Sequence, residues 1–242
     1  DRDAYPTSST FSGGEDFAFS PDGEWIVFTA VPIKDEAWNT RHELCRVSVR
    51  GGDAAWPSLG TGSTGAEGAP AFTADGKNLV YRAQRRAGFE ADKWELFMAP
   101  CRADGTLAGK PVELTKSLDR SVDACVPTQK GEILFQVEEN AGNSLYSVTP
   151  GKDPSRLCGP VGMLSSLCGD SSGRVLAMTE ARMNRPAEVA VYELGKGEPR
   201  LLTGHNSKAL ATLDLPRPES MSVPVEGASM QMWLLKPPGF DP

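Results

Sequence analysis

The sequence predicts an all-β fold, a partial β-propeller of about four four-stranded blades with a C-terminal strand pair after it. Three observations carry that prediction. One hairpin signature recurs four times, its turn glycines at positions 23, 76, 131 and 173 and so 53, 55 and 42 residues apart. Each copy is followed by a loop of varying length, a third strand and a weaker fourth one, and four strands at a period of roughly 40–50 residues is the pattern of propeller blades. Apolar residues at helical spacing are nearly absent. An all-β sandwich would need this self-similarity to be accidental.

The first copy, residues 17–29, reads Phe-Ala-Phe-Ser-Pro-Asp-Gly-Glu-Trp-Ile-Val-Phe-Thr. Pro21 presets φ for a tight turn, and Gly23 takes the position where a positive φ costs least. The run Trp25, Ile26, Val27, Phe28 is continuous, as in a strand buried on both faces. The other copies are residues 72–81, 127–135 and 168–178. Third strands are expected at 43–49, 95–99, 144–148 and 188–194. Fourth strands are expected near 55–56, 112–114, 155–158 and 200–202. The blades then span about 15–59, 69–115, 119–158 and 161–203, within a propeller region of 1–204. Residues 1–14 read as an incoming connection and 205–218 as a departing linker. Residues 221–225 and 230–235 are two strands that fit no blade.

The chain has 242 residues, enough for a large core, and a net charge of −7 with no basic stripe, which argues against nucleic acid as a partner. No apolar run approaches the roughly 18 residues of a membrane span. The chain opens on Asp1-Arg2-Asp3 without an initiator Met, so it reads as cut from something longer, and nothing follows about secretion. The five cysteines include no C-x-x-C pair, so zinc is not expected, nor is any cofactor. Cys158 and Cys168 flank one inter-blade crossing and leave a disulfide open beside the alternative of free thiols. Gly169-Asp170-Ser171-Ser172-Gly173 matches G-x-S-x-G, but it occupies a strand–strand turn rather than the strand–turn–helix that a nucleophile elbow needs. His42 and His205 are too few for a His-based metal site. Asp119-Arg120 is expected to brace a blade edge.

Four stretches, "FSPDGEWIVFTA" at 19–30, "YRAQRRAGFEADKWEL" at 81–96, "DRSV" at 119–122 and "MWLLKPPGFDP" at 232–242, together resemble the prolyl oligopeptidase family of serine peptidases. The similarity is greatest to its dipeptidyl peptidase V and acylaminoacyl peptidase branch. The S-P-D-G turns alone are shared with TolB-like propellers; the 83–94 stretch and the 232–242 tail are more specific. The resemblance implies a seven- or eight-bladed propeller ahead of an α/β-hydrolase domain that starts near the tail. The family's catalytic Ser, Asp and His have no counterpart before Pro242, so no catalytic residue is expected in this chain. It implies a propeller that gates access and helps bind a peptide substrate; a periplasmic or secreted enzyme is favoured, with a cytoplasmic one as the alternative. The runner-up is a non-catalytic TolB- or WD40-like binding scaffold.

In such dipeptidyl peptidases, propeller carboxylates hold the substrate's free amine, and a carboxylate suits an ammonium by charge-assisted hydrogen bonding. The loop at 82–94 is the expected place for this, the alternative being a charged, solvated connection. Glu90 is the first candidate and Asp92 the second. Arg85 and Arg86 are expected to hold the carboxylates or a substrate carbonyl, and Phe89 to wall an apolar subsite. Trp38 and Asn39, in the corresponding loop of the first blade, resemble an "AW-x-T-N" region and are expected to line the same cavity, with a core anchor as the alternative for Trp38. Four blades do not close a ring. The outer flanks, Trp25 and Phe28 at one end and Val189 and Val191 at the other, are therefore expected to self-associate or to meet a missing part of the protein.

Overall fold

The structure is a computed structural model that describes residues 4–6, 16–32, 40–54 and 65–240. It contains four antiparallel sheets arranged as the four blades of a propeller. The first blade holds β1 (Ala4–Pro6), β2 (Phe17–Phe19), β3 (Trp25–Pro32) and β4 (Glu43–Ser48). The second holds β5 (Glu67–Phe72), β6 (Asn78–Ala83), β7 (Glu95–Pro100) and β8 (Val112–Glu113). The third holds β9 (Val122–Pro127), β10 (Ile133–Glu139), β11 (Gly142–Val148) and β12 (Ser155–Val161). The fourth holds β13 (Met163–Gly169), β14 (Val175–Arg182), β15 (Arg185–Glu193) and β16 (Arg200–Leu201). Blades two to four are simple up-and-down sheets. In blade one, β1 and β2 both pair with β3 opposite β4, so β1 prolongs the edge that β2 begins. The polar stretch read as a bare incoming connection thus contributes a strand. The expected fourth strand of this blade, at 55–56, lies outside the described residues.

The turn between first and second strands explains the repeat. In blade one, Ser20 Oγ donates to Asp22 Oδ1 (2.5 Å) and accepts from the Trp25 amide (3.0 Å), while Asp22 Oδ1 also accepts from the Glu24 amide (3.1 Å). Blade two repeats the clamp with Thr73 as the hydroxyl and Asp75 as the acid. Blade four swaps the two groups: Asp170 stands first and accepts from the Val175 amide (2.9 Å) and from Ser172 Oγ. Side-chain oxygens thereby satisfy amides that a hairpin turn leaves unpaired. Gly23, Gly76, Gly131 and Gly173 close the turns at φ between +68° and +77°, where a Cβ would be strained.

The continuous apolar runs have a simple cause. Successive side chains of a strand point to opposite faces, and the second strands of blades two and three are packed on both. Leu79, Tyr81 and Ala83 of β6 face blade one, with Val27 and Leu44. Val80, between them, faces blade three and meets Ile133, Phe135 and Val137 of β10. Leu134 of the same β10 faces blade four, with Leu164, Leu176, Met178 and Tyr192.

Polar links recur beside these seams. The innermost strands of blades two and three are tied at their starts to the preceding blade: the Glu67 amide donates to His42 O (3.1 Å) and the Val122 amide to Trp94 O (2.9 Å). Between blades three and four, side chains grip one peptide. Asn143 Oδ1 accepts from the Leu164 amide (2.7 Å), and Gln136 Nε2 donates to Leu164 O (3.1 Å).

The outer flanks differ in part from expectation. Phe17 and Phe19 are the most exposed apolar groups on the outer face of blade one, at 50% and 55%, while Trp25 and Phe28 are half-buried. Val189 is exposed on blade four, but Val191 is buried, because β16 pairs against it through Arg200. The five cysteines are free thiols, so Cys158 and Cys168 are not bridged. The linker carries a single turn of helix, α1 (Ser207–Leu210), with no buried residue. The hairpin of β17 (Glu219–Val225) and β18 (Ala228–Leu234) follows as a separate two-stranded sheet.

Candidate functional site

The up-and-down topology places the second-to-third-strand connections and the crossings between blades at one end of the propeller, opposite the clamped turns. Blade two's connection, residues 84–94, is the most elaborate described there. Arg82 and Ala83 belong to β6, so the loop begins at Gln84. Gln84 is almost fully buried and donates Nε2 to two carbonyls of the returning chain, Glu90 O (2.9 Å) and Asp92 O (2.7 Å). Asp92 Oδ2 accepts from the amides of Arg85 (2.9 Å) and Arg86 (2.8 Å). Gly88 turns the tip at φ +71°, and its amide donates to Thr40 Oγ1 of blade one (3.2 Å).

The five site residues expected in this loop each have a definite place. Burial works to raise the Asp92 carboxyl, but the Arg86 and Arg85 amides outweigh it and hold it below the ordinary aspartate value. Asp92 is thus a brace of the loop. Arg85 is also engaged: its guanidinium pairs with Glu95 and Glu113, which raise its pKa further. Glu95, whose side chain is 8% exposed, also pairs with Lys93 Nζ at 2.9 Å. Arg86 stacks over the Phe89 ring at 4.1 Å, and both are exposed. Glu90 is exposed, and its carboxylate has no hydrogen bond or ion pair among the described residues. Trp38 and Asn39 lie outside the described residues. The loop is a braced platform that presents one unpaired carboxylate beside an aromatic ring and a guanidinium.

A second feature of the same end was not read from the sequence. The tips of blades three and four, the crossing between them and the β17–β18 hairpin enclose a cavity of about 980 Å³. Val161, Met163, Met183 and Trp233 give it apolar walls. Arg120, Arg182 and Arg217 are matched there by Glu138, Glu139 and Glu198. Glu139 is mostly satisfied internally, accepting from Ser144 Oγ (2.5 Å) and Tyr146 OH, with Arg156 at 3.5 Å and Arg120 at 3.9 Å. Arg120 therefore braces a blade tip. Arg182 is paired to Glu180 (2.6 Å). The hairpin sits here through Gln231, whose Nε2 donates to Asn140 O (3.2 Å), and through Trp233. The indole N–H is buried without an acceptor, so Trp233 is held by its ring contacts. No periodic pattern announces this site, because its walls come from the ends of several blade strands, the turns between them and a strand outside the repeat.

Nucleophilic chemistry has no support in the G-x-S-x-G segment. Ser171 lies on the turn between β13 and β14, and its carbonyl accepts from the Gln129 amide (2.9 Å), which ties two blades. Among the described residues no group of His, Cys, Asp and Glu is arranged to hold a metal ion.

No family model matches the chain. It is 25% identical over 238 residues to dipeptidyl-peptidase 5 of Porphyromonas gingivalis, covering 96% of this chain and 33% of that protein. It is also 25% identical over 253 residues to the probable dipeptidyl-peptidase 5 of Emericella nidulans, with the same two coverages. Among solved structures it matches Pyrococcus horikoshii acylaminoacyl peptidase with a TM-score of 0.64 at 17% identity, over 94% of this chain and 33% of that one. TolB from Acinetobacter baumannii gives 0.54 at 14% identity, over 91% of this chain and 51% of that one. The chain thus spans about a third of the length of the curated relatives it matches. By sequence the chain resembles dipeptidyl-peptidase 5 proteins and by fold the propellers of acylaminoacyl peptidase and TolB, in keeping with a propeller portion similar to those of the prolyl oligopeptidase family.

Proposed function

We propose that this propeller limits access to, and binds the substrate's N-terminal end for, a serine exopeptidase that releases dipeptides or acyl-amino acids from peptides. Acyl transfer by a Ser–His–Asp triad with an oxyanion hole would take place on an α/β-hydrolase domain beyond the β17–β18 hairpin. The observation that carries this reading is Glu90. It is a carboxylate without a partner among the described residues, on a loop where Gln84, Arg85 and Asp92 are spent on bracing, and it suits a peptide ammonium. The hairpin adds support. Ser220, Ser222, Gln231 and Trp233 share the face turned to the propeller, while Met221, Val223, Met230 and Met232 share the other. Met221, Met230 and Met232 are 44%, 50% and 37% exposed. An apolar face turned outward suits a hairpin that begins another core.

The likeness to TolB favours a second reading, a scaffold without catalysis, but that reading gives the apolar hairpin face no role. The test is Glu90→Ala in the protein that carries this propeller together with its following domain. Activity on dipeptide substrates with a free amine should fall by about 1.5–3 kcal/mol, roughly 10- to 150-fold, with little change on N-blocked ones. Equal loss on both substrate types would remove the amine-anchor role.

A further inference from the structure

We propose that the cavity between blades three and four and the β17–β18 hairpin is a second peptide-binding site, one that takes an apolar side chain of an uncharged stretch of peptide. Its volume of about 980 Å³ lies at the upper end of the range typical of ligand sites, roughly 300–1,000 Å³. That is far more room than the single indole of Trp233 fills. Its apolar groups suit a variable guest: Met163 and Met183 are 47% and 56% exposed, and thioether side chains reshape around whatever they touch. Trp233 adds a flat aromatic wall.

The charges select the occupant. Three arginines face three glutamates around the cavity, so a polyanion such as a nucleotide or a polycation gains no net attraction. Glu138 and Arg217 have no partner among the described residues. Together they offer an acceptor and a donor, which a peptide backbone, carrying both N–H and C=O beside an apolar side chain, can use at once. The cavity opens at the end of the propeller that bears the 84–94 loop, so a peptide whose terminus is held at blade two can continue toward blades three and four.

The proposal rests on the reading of this propeller as peptide-binding, but its chemistry is independent of Glu90. The test is calorimetric titration of the 242-residue chain with two blocked peptides, acetyl-Ala-Ala-Phe-Ala-Ala-amide and the same peptide with Gly for Phe. The Phe peptide should bind at least about tenfold more tightly. Met163→Glu and Met183→Glu each place a charge on the apolar wall at an exposed position and should weaken the Phe peptide at least about tenfold. Met183→Leu should restore the affinity, and Glu90→Ala should leave it unchanged. Equal binding of the two peptides, or parental affinity in both glutamate variants, overturns the proposal. So does a loss with Glu90→Ala as large as with the Met variants, because the peptide would then be seated on the loop. Failure of the free-amine test at Glu90 leaves this result untouched.

Discussion

The two ends of this propeller are built by different rules. At one end, the turns between first and second strands repeat nearly the same clamp of hydroxyl, acid and glycine in blades one, two and four. At the other, the connections between second and third strands run from 11 residues in blade two (84–94) to two residues in blades three and four (140–141 and 183–184). The repeating end satisfies its own amides locally and leaves few free groups. The varying end spends side chains on long-range bracing and leaves Glu90, Glu138 and Arg217 without partners among the described residues. The difference separates what shapes the blade from what is available to a ligand.

The largest effect is expected at the boundary between these roles, Glu95. It lies at the start of β7 and holds Arg85 and Lys93, so it belongs to the blade and anchors the loop. Burial works to raise its carboxyl, and the two cations hold it below the ordinary value of 4.5. Glu139 is likewise lowered, its burial outweighed by Ser144, Arg156 and Tyr146. A carboxylate whose folded value is depressed contributes its full stability above the unfolded value and loses it as pH falls through the folded one. Denaturation midpoints should therefore hold steady from neutral pH to about 5 and fall below about 4.5. Glu95→Gln should cost about 1.5–3 kcal/mol at neutral pH and flatten the acid limb. A variant as stable as the parent at pH 7 would mean that the two ion pairs are solvent-screened ornaments.

A matched pair of smaller changes sharpens the contrast within the repeating end. The third turn is one residue shorter than the others: Thr128 donates its amide to Glu132 O, whereas Thr73 reaches Asn78 O. It has Lys130 where Asp75 stands, and the Thr128 hydroxyl is buried without a partner. Thr73→Val removes a donor to Asp75 and an acceptor for the Asn78 amide, and should cost about 1–2 kcal/mol in urea denaturation. Thr128→Val replaces an unsatisfied hydroxyl with a methyl of similar size and should change stability by about 0.5 kcal/mol or less, or raise it slightly. Equal costs would show that the side-chain clamp is incidental to the turn.

The repeat was legible because its causes are local. Gly23, Gly76, Gly131 and Gly173 mark positive φ, and alternate burial on two faces leaves continuous apolar runs. β1 was not legible, since Ala4-Tyr5-Pro6 is a short apolar stretch in a Ser/Thr-rich context and pairs only because β3 extends past β2. Val191 could not be placed without knowing where β16 lies. At the candidate site, the resemblance directed attention to the loop and to Glu90. The spending of Arg85 and Asp92 could not be read, because their partners Glu95 and Glu113 sit on two other strands and the Arg85 and Arg86 amides are main-chain groups. The cavity was invisible for the same reason: Met163, Met183 and Trp233 come from three separate elements.

The strands shared between seams also set how the molecule comes apart. Because β6 supplies Leu79 and Tyr81 to one interface and Val80 to the next, and β10 divides Leu134 from Ile133 and Phe135 in the same way, the blades form a row of nearest-neighbour couplings. Opening blade two or three must break two interfaces at once. Opening blade one or four breaks only one of those described. Amide hydrogen exchange should accordingly be slowest at Leu79–Tyr81 and Leu134–Phe135 and, among blade strands, fastest at Phe17–Phe19 and Arg200–Leu201, a gradient that uniform protection along the row would contradict. The two inner blades then act as one cooperative unit, and both the 84–94 loop and the cavity beside blade three are mounted on it.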